Sequence, residues 1–207
     1  MDFQKIRKKS LASAKKLGYE VNPALPLLDD DLELRPQEEI VARSLALFAV
    51  IASSYGFDKS SAIQWLEQEG CIEYLSESER DFIENDEGDT AYFQSQVEGL
   101  NAFAWVLGVV KSIPFDSVCD NTLIRRFPDI KNGKSTSDYK AQSVVRSIDK
   151  IISACDLSYC LHWAIVDSGM NTRELPGDVG GHVIIERRRA LEWMLSTTDW
   201  DEIGLDT

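Results

Sequence analysis

Apolar positions recur at three- and four-residue intervals along almost the whole chain, and no segment alternates apolar and polar as a half-buried strand does. The spacing predicts a first helix over 3–17, stopped by Gly18. A proline-punctuated connection, NPALPLLDDDLELRP (22–36), leads into a long helix. Pro36 and Glu38–Glu39 suit its first turn, where proline forfeits no hydrogen bond and acids meet the positive end of the dipole. Ile40, Ser44, Leu47 and Ile51 form one row on this helix and Val41, Leu45, Phe48 and Ala52 the next, a broad buried face that ends at Gly56. A short helix over 59–68 carries Ile63, Trp65 and Leu66, and Ser76 with Glu79 has the spacing of a capping box opening another. Residues 90–112 read as one long helix with Phe93, Val97, Leu100, Ala104 and Leu107 on one face, closed by Pro114. PDIKNGKSTSD (128–138) is the most loop-like stretch. A second long helix is predicted over 138–167, a glycine-rich loop over 168–181 and a last helix over 183–196, followed by an acidic tail anchored through Trp200. No internal repeat is present. The elements sum to seven or eight helices and an all-α, single-domain bundle, with 1–21 as a basic N-terminal helix packed on the body and 22–207 as the domain itself.

Composition narrows the class. A chain of 207 residues with 43% hydrophobic and 28% charged positions can bury one sizeable core. Its longest apolar runs, LALFAVIA (45–52) and AFAWVLGVV (102–110), fall far short of the ~18 residues of a membrane span. The basic N-terminus has no apolar stretch behind it, so no secretory signal is read and a cytoplasmic location is expected. Cys71, Cys119, Cys155 and Cys160 form no CxxC pair and lie in or beside apolar helical pattern, so they are expected to be reduced core thiols.

Charge changes the picture more. The net charge is −13, yet residues 1–20 carry six basic side chains against Asp2 and Glu20, a balance of +4 that leaves −17 on the rest. Such a body repels nucleic acid backbones, so no nucleic-acid partner is expected, whereas a basic protein would be drawn to it. The densest acidic stretch runs from Glu67 to Asp89, ten acids against Arg80. Its candidate partner-binding residues are Glu67, Glu69, Glu73, Glu77, Asp81, Glu84, Asp86, Glu87 and Asp89, and the tail adds Asp199, Asp201, Glu202 and Asp206.

Two segments bring charged groups into apolar pattern. On the predicted helix over 138–167, Val144, Ile148, Ile151, Cys155, Tyr159, His162 and Val166 make one stripe, which turns His162 inward. On the last helix Ile184, Arg188, Leu191 and Leu195 form a stripe, with Val183, Arg187, Ala190 and Met194 beside it. A buried guanidinium requires a partner. Glu98, between Val97 and Leu100, is the best-placed acid, followed by Glu186 and Asp156, and Arg43 is a further inward candidate. The structural reading is a network of Arg43, Glu98, Asp156, His162, Glu186 and Arg188 that fixes helix register. The catalytic alternative assigns His162, Glu98 and Arg188 to one charged pocket as acid–base catalyst and anion clamp. Neither histidine has metal-ligand spacing to Cys, Asp or Glu, and there is no phosphate-cradling loop, nucleophile elbow or HExxH, so no metal and no cofactor is expected.

IVARSLALFAVIA (40–52), VEGLNAFAWVLG (97–108), DLSYCLHWAIVD (156–167), VIIERRRALEWML (183–195) and DWDEIGLDT (199–207) together resemble the bacterial proteins gathered as domain of unknown function 4272. The resemblance covers most of the chain beyond residue 35 and implies an α-helical, soluble protein with no assigned activity. It also implies an arginine after the tyrosine of SYCLHW, where this chain has Cys160, so the family's internal network would be altered here. By analogy with small acidic proteins that neutralise secreted toxins, the expected function is a non-enzymatic acidic binding module, an immunity or inhibitor protein for a basic toxin.

Overall fold

A computed structural model describes residues 1–28 and 32–207; residues 29–31, inside the proline-punctuated connection, lie outside the described residues. The α-helices are α1 (Phe3–Lys16), α2 (Gln37–Ser54), α3 (Lys59–Gln68), α4 (Glu77–Glu84), α5 (Thr90–Ser95), α6 (Val97–Val106), α7 (Ser137–Gln142), α8 (Ile148–Met170) and α9 (Gly181–Met194). Short 3-10 turns at Leu123–Arg126 and Trp200–Glu202 shape the connection after α6 and the tail. No strand occurs among the described residues, and the fold is all-α. No helix is long and apolar enough to cross a membrane among them.

Helix α9 is the centre. It packs against α6 on one side and α8 on the other; α2 backs α6, α1 lies along α8, and α3, α4 and α5 gather on α2. The contact of α9 with α6 is close because Gly99 has no side chain there: a Cβ at that position would stand 3.2 Å from the Glu186 carbonyl oxygen. Helix α2 is buried almost all round, from Ile40 to Ile51, which explains why its two apolar rows left so little polar face. A smaller apolar cluster of Ala14, Tyr19, Phe115, Leu161, Ala164, Ile165 and Ile184 sits where α1 meets α8.

The capping box is present: Ser76 Oγ accepts from the Glu79 amide and the Glu79 carboxylate accepts from the Ser76 amide. Two long helices are not. The run over 90–112 breaks at Gln96 and stops at Val106, and the run over 138–167 divides into α7 and α8 around an extended segment at 143–147. The stop at Val106 and the division at 143–147 have one cause. The amides of Val144 and Arg146 donate to the carbonyls of Leu107 and Val106, at 2.9 Å each, and the Arg146 guanidinium donates to the Trp105, Val110 and Lys111 carbonyls. The segment thus caps the C-terminus of α6, whose last carbonyls have no partner within their own helix. Val144, placed in the buried stripe by its spacing, is consequently 67% exposed.

Candidate functional site

The charged side chains in the core do not form one network; they form separate clusters, each built around an arginine. Helix α9 presents Arg187 and Arg188 about 100° apart, so one faces α6 and the other α8. Arg187 takes Glu98: Nε and Nη2 donate to one carboxylate oxygen at 3.0 and 2.6 Å, and the same guanidinium holds the Pro114 and Ser117 carbonyls. The other Glu98 oxygen accepts from the Cys119 amide at 2.9 Å. Arg188 instead donates to Glu192 at 2.6 Å, to His162 Nδ1 at 2.7 Å, and to the Leu205 and Asp206 carbonyls of the tail. The expected pairing of Arg188 with Glu98 is therefore replaced by two pairings. No hydrogen bond or ion pair joins the Glu98 cluster to the His162 cluster among the described residues.

The remaining pairs follow the same plan. Arg43 is bidentate to Glu79 of α4, at 2.9 and 2.6 Å, and reaches the Tyr74 carbonyl. Asp156 is held by Arg7 of α1, at 2.7 Å, and Arg7 also donates to the Leu25 and Pro26 carbonyls. Asp156 and Cys160 lie one turn apart on α8, and Cys160, the residue that departs from the implied arginine, is fully buried beside this pair. Glu186 is buried, with Arg189 at 3.4 Å, and burial raises its pKa. Each of Arg7, Arg43, Arg187 and Arg188 joins a carboxylate in the fold to carbonyls of a loop or the tail, so the pairs fasten irregular chain to helices. Arg7, Glu79, Arg187 and Glu192 were not among the sequence candidates. Arg187 had a usable signal in its row with Val183, Ala190 and Met194, and Glu79 had one in Phe82 and Ile83 at i+3 and i+4.

His162 is 5% exposed. Because a guanidinium can only donate, Nδ1 is the acceptor and the ring proton resides on Nε2. Burial first, and the Arg188 charge second, push its pKa down to about 4. An imidazole held neutral with its lone pair already engaged is poorly placed to act as a base. A cavity of about 340 Å³ reaches Tyr159, Arg188 and Glu192 between Leu28 and Ile203, and His162 is not in its wall among the described residues. The four cysteines are free; burial pushes the Cys119 and Cys160 thiols up to about 12 and raises Cys71 and Cys155 as well.

The outer face is organised differently. Glu73 and Glu77 of the acidic stretch meet Asp199, Asp201 and Glu202 of the tail around one cleft of about 410 Å³. Asp201 makes the join: its carboxylate accepts from the Ser78 amide at 2.9 Å and from Ser78 Oγ at 2.8 Å, inside the first turn of α4. Trp193, Trp200, Arg35 and Arg43 also line the cleft. Arg35 stacks 4.1 Å from the Trp193 ring and Arg43 4.3 Å from the Trp200 ring. These two cations are matched by Glu39 and Glu79, which leaves the rim acids as net negative charge.

Of the other expected partner-binding acids, Glu67, Glu84 and Glu87 are exposed, Glu84 paired with Arg80. Several have local tasks: Glu69 accepts from the Thr136 amide and hydroxyl, Asp81 from Asn85, Asp86 from Lys59, and Asp89 caps α5. Among the described residues no group of three or more His, Cys, Asp or Glu side chains is arranged to hold a metal ion.

No curated protein and no solved structure is matched by the chain. A family model does match, that of Domain of unknown function (DUF4272), and it extends over residues 7–203, from the arginine that holds Asp156 to the isoleucine that follows the acidic rim. The chain belongs to the DUF4272 family.

Proposed function

We propose that this protein is a non-enzymatic acidic binding module that captures a basic protein, and that the partner is a basic toxin which the module neutralises as an immunity or inhibitor protein. The observation that carries the reading is the cleft where two acidic stretches, more than a hundred residues apart in sequence, share one rim: Glu73 and Glu77 with Asp199, Asp201 and Glu202. Unmatched carboxylates gathered on one rim, with Asp201 fixed on Ser78, steer a cationic partner during encounter. The alternative, an enzyme using His162, Glu98 and Arg188, has less support because Glu98 and Arg188 are committed to different partners.

The test is a pull-down for a basic partner from the native cell, followed by stopped-flow of the purified pair at increasing salt. The association rate constant should fall at least tenfold between about 0.05 and 0.5 M salt, as screening shortens the reach of the field. Glu73→Lys with Glu77→Lys should slow association by roughly tenfold while the dissociation rate changes less. A complex indifferent to both salt and charge reversal, or no complex, would sink the proposal.

A further inference from the structure

We propose that a second site, on the cationic part of the surface, binds a small amphipathic anion: an aliphatic or aromatic body ending in a single carboxylate. The site is a half-open pocket of about 530 Å³ between the end of α2 and the loop over 124–131. This volume lies within the range of small-molecule pockets, roughly 300–1,000 Å³. Phe48 and Phe127, stacked with centroids 5.1 Å apart, belong to its wall together with Ile51 and Ile130. Tyr55, 66% exposed, and Ile124, 41% exposed, stand at its lip. Large apolar side chains left in water around a concave apolar wall mark a place where something else supplies the cover.

The charge at the mouth selects the occupant. Beyond residue 20, nine of the sixteen arginines and lysines are in ion pairs; Arg125 and Lys131, both exposed and both on this pocket, are among those with none among the described residues. Residues 124–134 hold four basic side chains and one acid, Asp129, in a chain of net charge −13. Asp129 also lines the pocket, its carboxylate turned onto the Asn132 amide and side chain at 3.3 and 2.7 Å, so the charged side chains Arg125, Lys131 and Asp129 leave a balance of +1 there. An apolar body would fill the pocket, and its carboxylate would lie between the guanidinium and the ammonium, where a neutral amphiphile gains nothing comparable.

Decanoate below its micellar concentration is the probe, titrated calorimetrically into the full chain at about 0.15 M salt. Saturable one-to-one binding is expected. Arg125→Gln with Lys131→Gln should weaken it about tenfold, the loss of charge-assisted hydrogen bonds. Both side chains are exposed, so the melting temperature of that variant should equal the parent's. Ile124→Asp should abolish binding by placing a like charge at the lip. In an amide NMR titration the shifts should concentrate at Gly56, Phe57, Ile124 and Lys131. Three results would overturn the proposal: decanol binding as tightly as decanoate, the double variant binding like the parent, or no saturable heat. Binding of an acidic amphipathic peptide at this pocket, with none of decanoate, would likewise overturn the small-ligand assignment.

Discussion

Arg187 and Arg188 are neighbours in the chain, yet each guanidinium belongs to a different side of the molecule, and each leaves a charged partner stranded if it is removed. Glu98 is 2% exposed, so Arg187→Met should destabilise the protein by about 3–5 kcal/mol in urea unfolding, most of it the cost of an uncompensated buried carboxylate. Adding Glu98→Leu should recover much of that loss, since a buried pair replaced by apolar side chains of similar volume is often near neutral. His162 makes a pH-dependent prediction. Its folded pKa of about 4 lies below the ~6.5 of an unfolded chain, so the unfolded state binds more protons in between. The stability that this depressed value carries is complete above pH ~6.5 and is lost as pH falls toward 4, by roughly 3 kcal/mol. In His162→Asn, whose amide oxygen can still accept from Arg188, this loss should be absent, so the variant should gain on the parent by roughly 3 kcal/mol as pH falls from ~6.5 to below 4; an unchanged pH profile would contradict the assignment. The cysteines make a simpler one: Ellman's reagent at pH 8 should react slowly with the native protein and rapidly with all four thiols after denaturation. At this scale the sequence showed several of the charged side chains that turn inward, Arg43, Glu98, Asp156, His162 and Arg188 among them, because inward-facing charge shows up in helical spacing, but it missed Arg7, Glu79 and Arg187. It did not show the partners, because a 100° turn along α9 separates two side chains that adjacent numbering makes look equivalent.

Elements were legible where one helix satisfied its own backbone. The ranges of α1, α2 and α3, the capping box of α4 and the burial of Trp200 all follow from local pattern. They were illegible where one segment satisfied another's. The spacing of Val144 and Ile148 is helical, but the amides of 144 and 146 are spent on the end of α6, a contact between residues almost forty positions apart that periodicity does not register. The α6–α9 contact gives a direct test of packing. Gly99→Val would push methyl groups into the Glu186 carbonyl, already 3.2 Å from where a Cβ would sit, and should lower stability by about 1–3 kcal/mol in a thermal or urea melt. Helix α1 is bound by charge as well as by its apolar side. Arg7→Ala removes the cation from Asp156, which is 2% exposed, and frees the Leu25 and Pro26 carbonyls. The expected cost is again about 3–5 kcal/mol, with faster amide exchange confined first to α1 and residues 25–26.

Across the whole molecule, the arrangement separates a buried set of paired charges from an outer surface that gathers unpaired acids at one cleft and unpaired bases at another pocket. The acidic cleft and the Arg125–Lys131 pocket draw on different residues, so charge reversal at Glu73 and Glu77 should leave decanoate binding intact. The tail couples interior to exterior. Arg188 holds it through the backbone carbonyls of Leu205 and Asp206 and takes nothing from their side chains. A clamp that grips only main chain is blind to sequence. Positions 205 and 206 can therefore change side chain, while Asp201, whose carboxylate sits on Ser78, and the buried Trp200 hold the rest of the tail by their side chains. The charge carried at position 206 can thus vary without a change in how the chain folds.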